Sequence, residues 1–468
     1  MSKEKSEVEL LKEELFMENE HTAKVIDDAE MQAAFDFCEG YKKFLNSCKT
    51  EREAAEYAVA VAKENGFEEF DKTKAYKTGD KIYYLNRNKA VILAVMGKKS
   101  VGEGVRITAA HIDSPRLDLK PNPLYEDTDI ALFKTHYYGG VKKYQWVTIP
   151  LSLHGVVVKK DGSVVNVNIG ENEGDPQFVI TDLLPHLAAS QMERKPRELI
   201  KGEELNILVG SLPFKSDSGS ELVKLNIMKI LNEKYGIVER DFLTAELEAV
   251  PAMHVSDIGF DRSLIGGYGH DDRVCAYPAL QAIIELDGAP EYTAVTVLTD
   301  KEETGSNGNT GLLSDYLRYF LADLGRAEGL MGRDVLSKSK CLSADVNAAF
   351  DPTFAHVLDK MNAAYINKGI VVTKYTGSGG KGGTSDANAE YVAEIARIFD
   401  NGGVNWQLGE LGKVDEGGGG TVAKYIANMD VDVIDVGVPV LSMHAPFEVV
   451  SKLDVYMAKK AFLKFFEV

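Results

Sequence analysis

Residues 105–115 read Val-Arg-Ile-Thr-Ala-Ala-His-Ile-Asp-Ser-Pro. An apolar run of strand length stops at His111 and Asp113, and in extended chain two residues that far apart point to one face. The carboxylate can then hold one imidazole nitrogen while the other stays free for a metal. Outward from this stretch the chain alternates two periods. Residues 90–96, 293–298, 341–344, 370–374 and 431–436 read as strands, and 29–45, 51–65, 274–286, 312–324, 385–399 and 452–466 carry the three- and four-residue apolar spacing of helices, with Gly66 as a stop signal. Strands alternating with helices predict an α/β domain with a largely parallel sheet sandwiched by helices.

From about residue 116 to 241 the texture changes to short alternating segments, among them 146–153 and 156–158, with one helix-like stretch near 180–191. This predicts a β-rich insertion at 115–242 and a discontinuous sheet domain, 1–114 and 243–468. Two glycine clusters, at 377–383 and 417–420, interrupt the last third. Lys381 is followed by Gly382 where a phosphate-binding loop needs Ser or Thr, so these clusters read as mobile or close-approach loops.

The 468 residues suffice for two or three domains, and 44% apolar with 27% charged residues excludes a fibrous or mostly disordered chain. Against 72 acidic residues stand 53 basic ones, a net charge of −19 that repels nucleic acid and anionic membrane and favours cations. The longest apolar runs, 90–97 and 431–443, fall short of the ~18–20 residues of a membrane span. The charged start, Met1 to Glu9, lacks the pattern of a secretory signal. Cys38, Cys48, Cys275 and Cys341 are scattered, as reduced thiols of a cytoplasmic protein would be. The expectation is a cytoplasmic chain with no nucleic-acid or membrane partner.

Ligands of open α/β sheets gather beyond the carboxyl ends of the strands. There the chain places His111-Ile112-Asp113, Glu302-Glu303 within Asp300 to Gly305, Asp345 and, further on, His444; Asp271-Asp272 opens the helix at 274. Each alone has a bland reading: a surface histidine, a solvated glutamate pair, a helix-capping aspartate, a structural histidine. Together, two histidines and three carboxylates suffice for a dinuclear centre with one bridging carboxylate. Such mixed ligation suits zinc, with manganese or cobalt as substitutes. Two metals ~3.5–4 Å apart lower the pKa of a shared water and polarise a carbonyl, which is machinery for amide hydrolysis.

In order, His111 to Leu117, Tyr138-Gly139-Gly140, Asp271-Asp272-Arg273, Glu302 to Ser306, Ser343-Ala344-Asp345 and Ser442-Met443-His444 resemble the motifs of the aspartyl aminopeptidase family of dizinc exopeptidases. The resemblance covers most of the chain. It implies two zinc ions per subunit, with His111 and Asp345 on one, Glu303 and His444 on the other, and Asp271 bridging. It further implies Glu302 as general base and acid, Asp113 as orienter of His111, and removal of an acidic N-terminal residue from peptides. Lys374 matches the position that pairs with that acidic side chain, and His186, or Ser190 one turn on, matches a residue lent to a neighbouring subunit's site. The insertion would mediate dimerisation within a tetrahedral dodecamer. Where the family shows Trp-Phe-Asp-Arg-Asp-Leu this chain has Trp146-Val147-Thr148-Ile149-Pro150-Leu151, and Ala348 and Asp351 replace family histidines. These departures resemble a bacterial-type branch, in which the acidic preference is open. Two other readings of the same residues are an N-acyl amino acid deacylase and a non-catalytic metal-binding assembly protein.

Overall fold

The computed structural model describes residues 5–17, 19–216, 218–377 and 379–468. The first four residues of the charged start and Ser378 of the first glycine cluster lie outside the described residues. Four parallel strands form the centre of a nine-stranded sheet: Ala294–Thr299, Arg106–His111, Lys340–Ser343 and Asp432–Gly437, side by side in that order. Antiparallel neighbours close it on either side, Ala90–Val95 next to Ala294–Thr299 and Ile370–Thr373 next to Asp432–Gly437. Strands Arg106–His111 and Ala294–Thr299 are buried along their whole length. Burial on both faces is why they read as continuous apolar runs and not as alternation.

One apolar cluster packs this sheet against helices Asp28–Ser47, Glu51–Glu64, His270–Ile284, Ala389–Asn401 and Lys452–Phe466. The second, on the opposite face, gathers Leu317, Phe320, Leu321 and Leu324 of helix Tyr316–Ala327. The expected helices thus form, although those expected at 312–324 and 385–399 begin later, at Tyr316 and Ala389.

A seven-stranded antiparallel sheet runs from Arg116–Asp127 to Ala245–Pro251 around its own cluster, with Trp146 fully buried. Strand Ala245–Pro251 pairs with Leu151–Val158 and Arg116–Asp127, so this sheet reaches past the expected boundary at 242. The helix-like stretch at 180–191 resolves into turns. Leu184 is extended ahead of Pro185, as a residue before proline prefers, and only the short helices Pro185–Leu187 and Ala189–Met192 follow. A helix not among those expected, Leu222–Tyr235, packs on this sheet through Val223, its one fully buried residue, and Ile227, Leu231 and Tyr235. A third, five-stranded sheet contains Pro439–Leu441 and Glu448–Ser451, the two strands on either side of His444.

Where the two larger sheets meet, buried charges of both signs interlock. Arg116 reaches Glu51 at 3.2 Å, Glu248 at 3.1 Å and Asp118 at 2.8 Å. Lys89 reaches Glu51 at 3.2 Å and Glu246 at 3.0 Å, and Arg52 also pairs with Glu246. Beside them His154 of the insertion bridges Glu53 at 2.7 Å and Glu171 at 3.1 Å.

Candidate active site

The parallel strands deliver their polar ends to one edge. His111 is the last residue of its strand, Asp345 lies two residues beyond Lys340–Ser343, and Glu302 and Glu303 form a 3-10 turn after Ala294–Thr299. Asp271 enters from the first turn of helix His270–Ile284, and His444 from the loop ahead of Glu448–Ser451.

Asp271 stands in the middle. Its Oδ1 lies 3.1 Å from His111 Nε2 and its Oδ2 3.1 Å from His444 Nε2. Asp345 approaches His111 Nε2 to 3.9 Å, and Glu303 approaches His444 Nε2 to 3.6 Å. Two trios result, His111–Asp271–Asp345 and Asp271–Glu303–His444, each with its ligand atoms within 4.8 Å of one another. Both histidines present Nε2 inwards because Nδ1 is occupied elsewhere, donating to the Asp113 carbonyl at 2.9 Å in His111 and to the Gly140 carbonyl at 2.8 Å in His444. A donated Nδ1–H fixes the tautomer whose Nε2 lone pair can bind metal.

The electrostatics fit a cation. Burial pushes the carboxyls of Glu303 and Asp345 well above their ordinary range, and Glu303 Oε1 has no hydrogen-bond partner. Among the described residues no lysine or arginine forms an ion pair with Asp271, Glu303 or Asp345. His444, although burial alone would depress it, is lifted to about 10 by its hydrogen bond to Asp271 and by Glu303. Clustered buried acids with histidines as their only counter-charges are a donor set for divalent ions, and imidazole with carboxylate suits zinc.

Asp113 does more than orient His111. Its carboxylate is 3.3 Å from His111 Nδ1, farther than its own carbonyl, while it accepts hydrogen bonds from Tyr138 Oη at 2.8 Å and from the backbone N–H of Glu302 and Glu303 at 3.1 and 3.2 Å. It therefore pins the turn that carries both glutamates. Glu302 faces a cavity of about 480 Å³ that also exposes Glu303, Asp345 and His444. Burial raises its carboxyl to about 7, which suits a group that takes and returns a proton near neutrality.

Two further residues escaped the sequence reading. Glu448 accepts from the His444 N–H at 2.7 Å and from the Asp271 N–H at 3.1 Å, tying both ligand loops together. Ser114 Oγ donates to the Asp271 carbonyl at 2.7 Å. Glu448 had a signal, a carboxylate four residues after a candidate ligand, but nothing in the spacing says that its partners are backbone groups. Lys374 is exposed and its side chain is not among those lining the cavity; the lysine that does line it is Lys424. His186 is exposed in the insertion's turn Pro185–Leu187 and does not reach this chain's own cavity.

A mostly parallel sheet whose strand ends carry two histidine–carboxylate trios and a glutamate outside them defines a metal-dependent peptidase. The sequence pattern of the family described as Aminopeptidase I zinc metalloprotease (M18) matches residues 44–466. A protein of Clostridium acetobutylicum named "Probable M18 family aminopeptidase 1" is 51% identical over 447 residues, covering 94% of this chain and 96% of its own length. The crystal structure of an M18-family aminopeptidase from Thermotoga maritima superposes with a TM-score of 0.92 at 42% identity, covering 96% of this chain and 99% of that one. The structure of aminopeptidase I from Clostridium acetobutylicum gives 0.91 at 48% identity, covering 97% and 100%. The chain belongs to the M18 family of zinc metalloprotease aminopeptidases.

Proposed function

We propose that this aminopeptidase works with two zinc ions per subunit, His111 and Asp345 holding one, Glu303 and His444 the other, and Asp271 both. The observation that carries the reading is the division of the Asp271 carboxylate, one oxygen 3.1 Å from each histidine. When bound, the pair of ions would acidify a water and polarise the first peptide carbonyl. Glu302, facing the same cavity, takes the proton from the attacking water and returns it to the departing amine; such help is worth ~10² to 10⁴ in rate. Asp113 and Tyr138 hold the Glu302–Glu303 turn in place for that transfer, and Glu448 holds the loops of Asp271 and His444.

The substrate is a peptide with a free amino terminus, in a cytoplasmic setting consistent with four buried, unbridged cysteines. The insertion supplies a surface for a second copy, since Leu183, Leu184, Leu187 and Met192 are exposed in the turns that follow strand Val179–Ile180. Dimers would build the dodecamer, with His186 reaching a neighbour's site. An acidic N-terminal preference through Lys374 has no support in the position of that side chain.

The test is amino-acid release from unblocked and N-acetylated dipeptides by chelated protein with zinc, manganese or cobalt restored, with metal content measured in parallel. Two ions per chain and cleavage of unblocked peptides alone are expected. Cleavage of the acetylated series instead would make the protein a deacylase, and a single ion per chain would remove the bridging role of Asp271. Sedimentation as a stable monomer would exclude the dodecamer.

A further inference from the structure

One wall of the cavity is unlike the rest. Ser343, Asp435 and Thr373 stand in register on three adjacent strands, Ser343 opposite Asp435 and Asp435 opposite Thr373, and cross-strand partners project to the same face. Asp435 and Thr373 line the cavity, as does Asn347, two residues beyond Asp345. Asn347 Nδ2 donates to Thr373 Oγ1 at 2.9 Å, which fixes the amide with its oxygen turned the other way. Asn347 Oδ1 and Asp435 Oδ1 are then left without a hydrogen bond of good geometry, although each residue is only 4% exposed and the hydroxyls of Ser343 and Thr421 lie beside the Asp435 carboxyl. Two such buried acceptors, one on a carboxylate, form a recess beside the metal ligands that asks for a donor.

We propose that this recess receives the side chain of the peptide's N-terminal residue and selects one that ends in N–H donors, lysine or arginine first, over a carboxylate. The inference rests on the placement of the first peptide carbonyl beside Glu302. With that carbonyl and the α-amino group at the ligand trios, the first side chain is the part of the substrate that meets the wall on the Asp345 side. An ammonium or guanidinium there pairs with Asp435 and donates to Asn347. A glutamate side chain would set its carboxylate against both acceptors, with the cavity's lysine, Lys424, lying at Gly420 in the second glycine cluster.

The experiment compares kcat/KM of the zinc-loaded protein for Lys-Ala, Met-Ala and Glu-Ala, three first residues of similar length. Lysine should lead and glutamate trail, and Asp435→Asn should lower the Lys-to-Met ratio by about 10-fold or more, because a site built around a donor discriminates against analogues lacking it. Asn347→Ala should move the ratio the same way and covers the case in which the Asp435 variant fails to fold. Binding of L-lysinamide and L-methioninamide to the Glu302→Gln protein, read by calorimetry, should show the same order without turnover. Glutamate as the best first residue, its advantage lost in Lys424→Ala, would overturn the proposal, as would an Asp435→Asn variant that slows all three substrates equally. Failure to cleave any of the dipeptides would instead count against the proposed role of Glu302, and the amide-binding order would still decide the recess.

Discussion

At the junction of the two larger sheets, Glu51 and Glu248 share Arg116 and Lys89 adds a second cation; Glu51 stays ionised, held down to about 2 despite its burial, whereas burial and the neighbouring Glu51 and Asp118 raise Glu248. At the strand ends, Asp271, Glu303 and Asp345 are as deeply buried, but their fixed counter-charges are two histidines, and burial lifts Glu303 and Asp345 towards their neutral forms. Both regions bury acids. Where the chain provides its own cations the cluster holds the fold together; where it leaves the acids short of charge, the balance must come from an ion. The contrast lies in the fixed lysine and arginine charges that one region holds and the other lacks, not in each carboxyl taken singly, since Glu248 is raised and Asp271 is lowered.

The contrast can be broken most directly at its extremes. Asp271→Ala should abolish activity and empty both metal positions, measured by elemental analysis, while circular dichroism stays native; two retained ions would undo the assignment. Glu302→Gln should keep the metals and lose ~10² to 10⁴ of kcat. At the junction the effect is on stability: Arg116→Met should leave buried carboxylates unpaired and cost about 3–5 kcal/mol in denaturant unfolding. A sharper test uses the metal-free protein, in which Asp345→Asn should raise the melting temperature by relieving repulsion, whereas Glu51→Gln should lower it.

The smallest effect is a pH dependence. His154 is raised above its ordinary value: burial opposes this, but hydrogen bonds to Glu171 and Glu53 prevail. A raised histidine stabilises fully below its unfolded value near 6.5 and loses that contribution as pH climbs through its folded value. Thermal melts should therefore decline by a degree or two across that window in the parent protein and less in His154→Gln. An unchanged slope would show that the imidazole is neutral at the junction.

Much of this was legible in sequence where chemistry is local. His111, Glu302, Glu303 and Asp345 follow buried strands, so an apolar run ending in a polar residue marks them, and Asp271 is announced by a helix start. The stretch at 180–191 misled because apolar spacing was read without weighing Pro185, and Leu222–Tyr235 was passed over although Val223, Ile227, Leu231 and Tyr235 recur at helical spacing, because Leu222, Leu225 and Ile230 on its other sides blur the stripe. Asn347, Asp435 and Glu448 were hidden for another reason. Their importance comes from strand register and from backbone donors far along the chain, such as the Asp271 N–H that Glu448 accepts, and neither is written in spacing.

The residues of the site run from His111 to Glu448, and the Gly140 carbonyl that steadies His444 lies within the insertion, between strands Ile130–Tyr138 and Leu151–Val158. A chain made from its N-terminus acquires His444 only 333 residues after His111. The site cannot assemble before then, so the nascent chain is inert as a protease until His444 and Glu448 have been added.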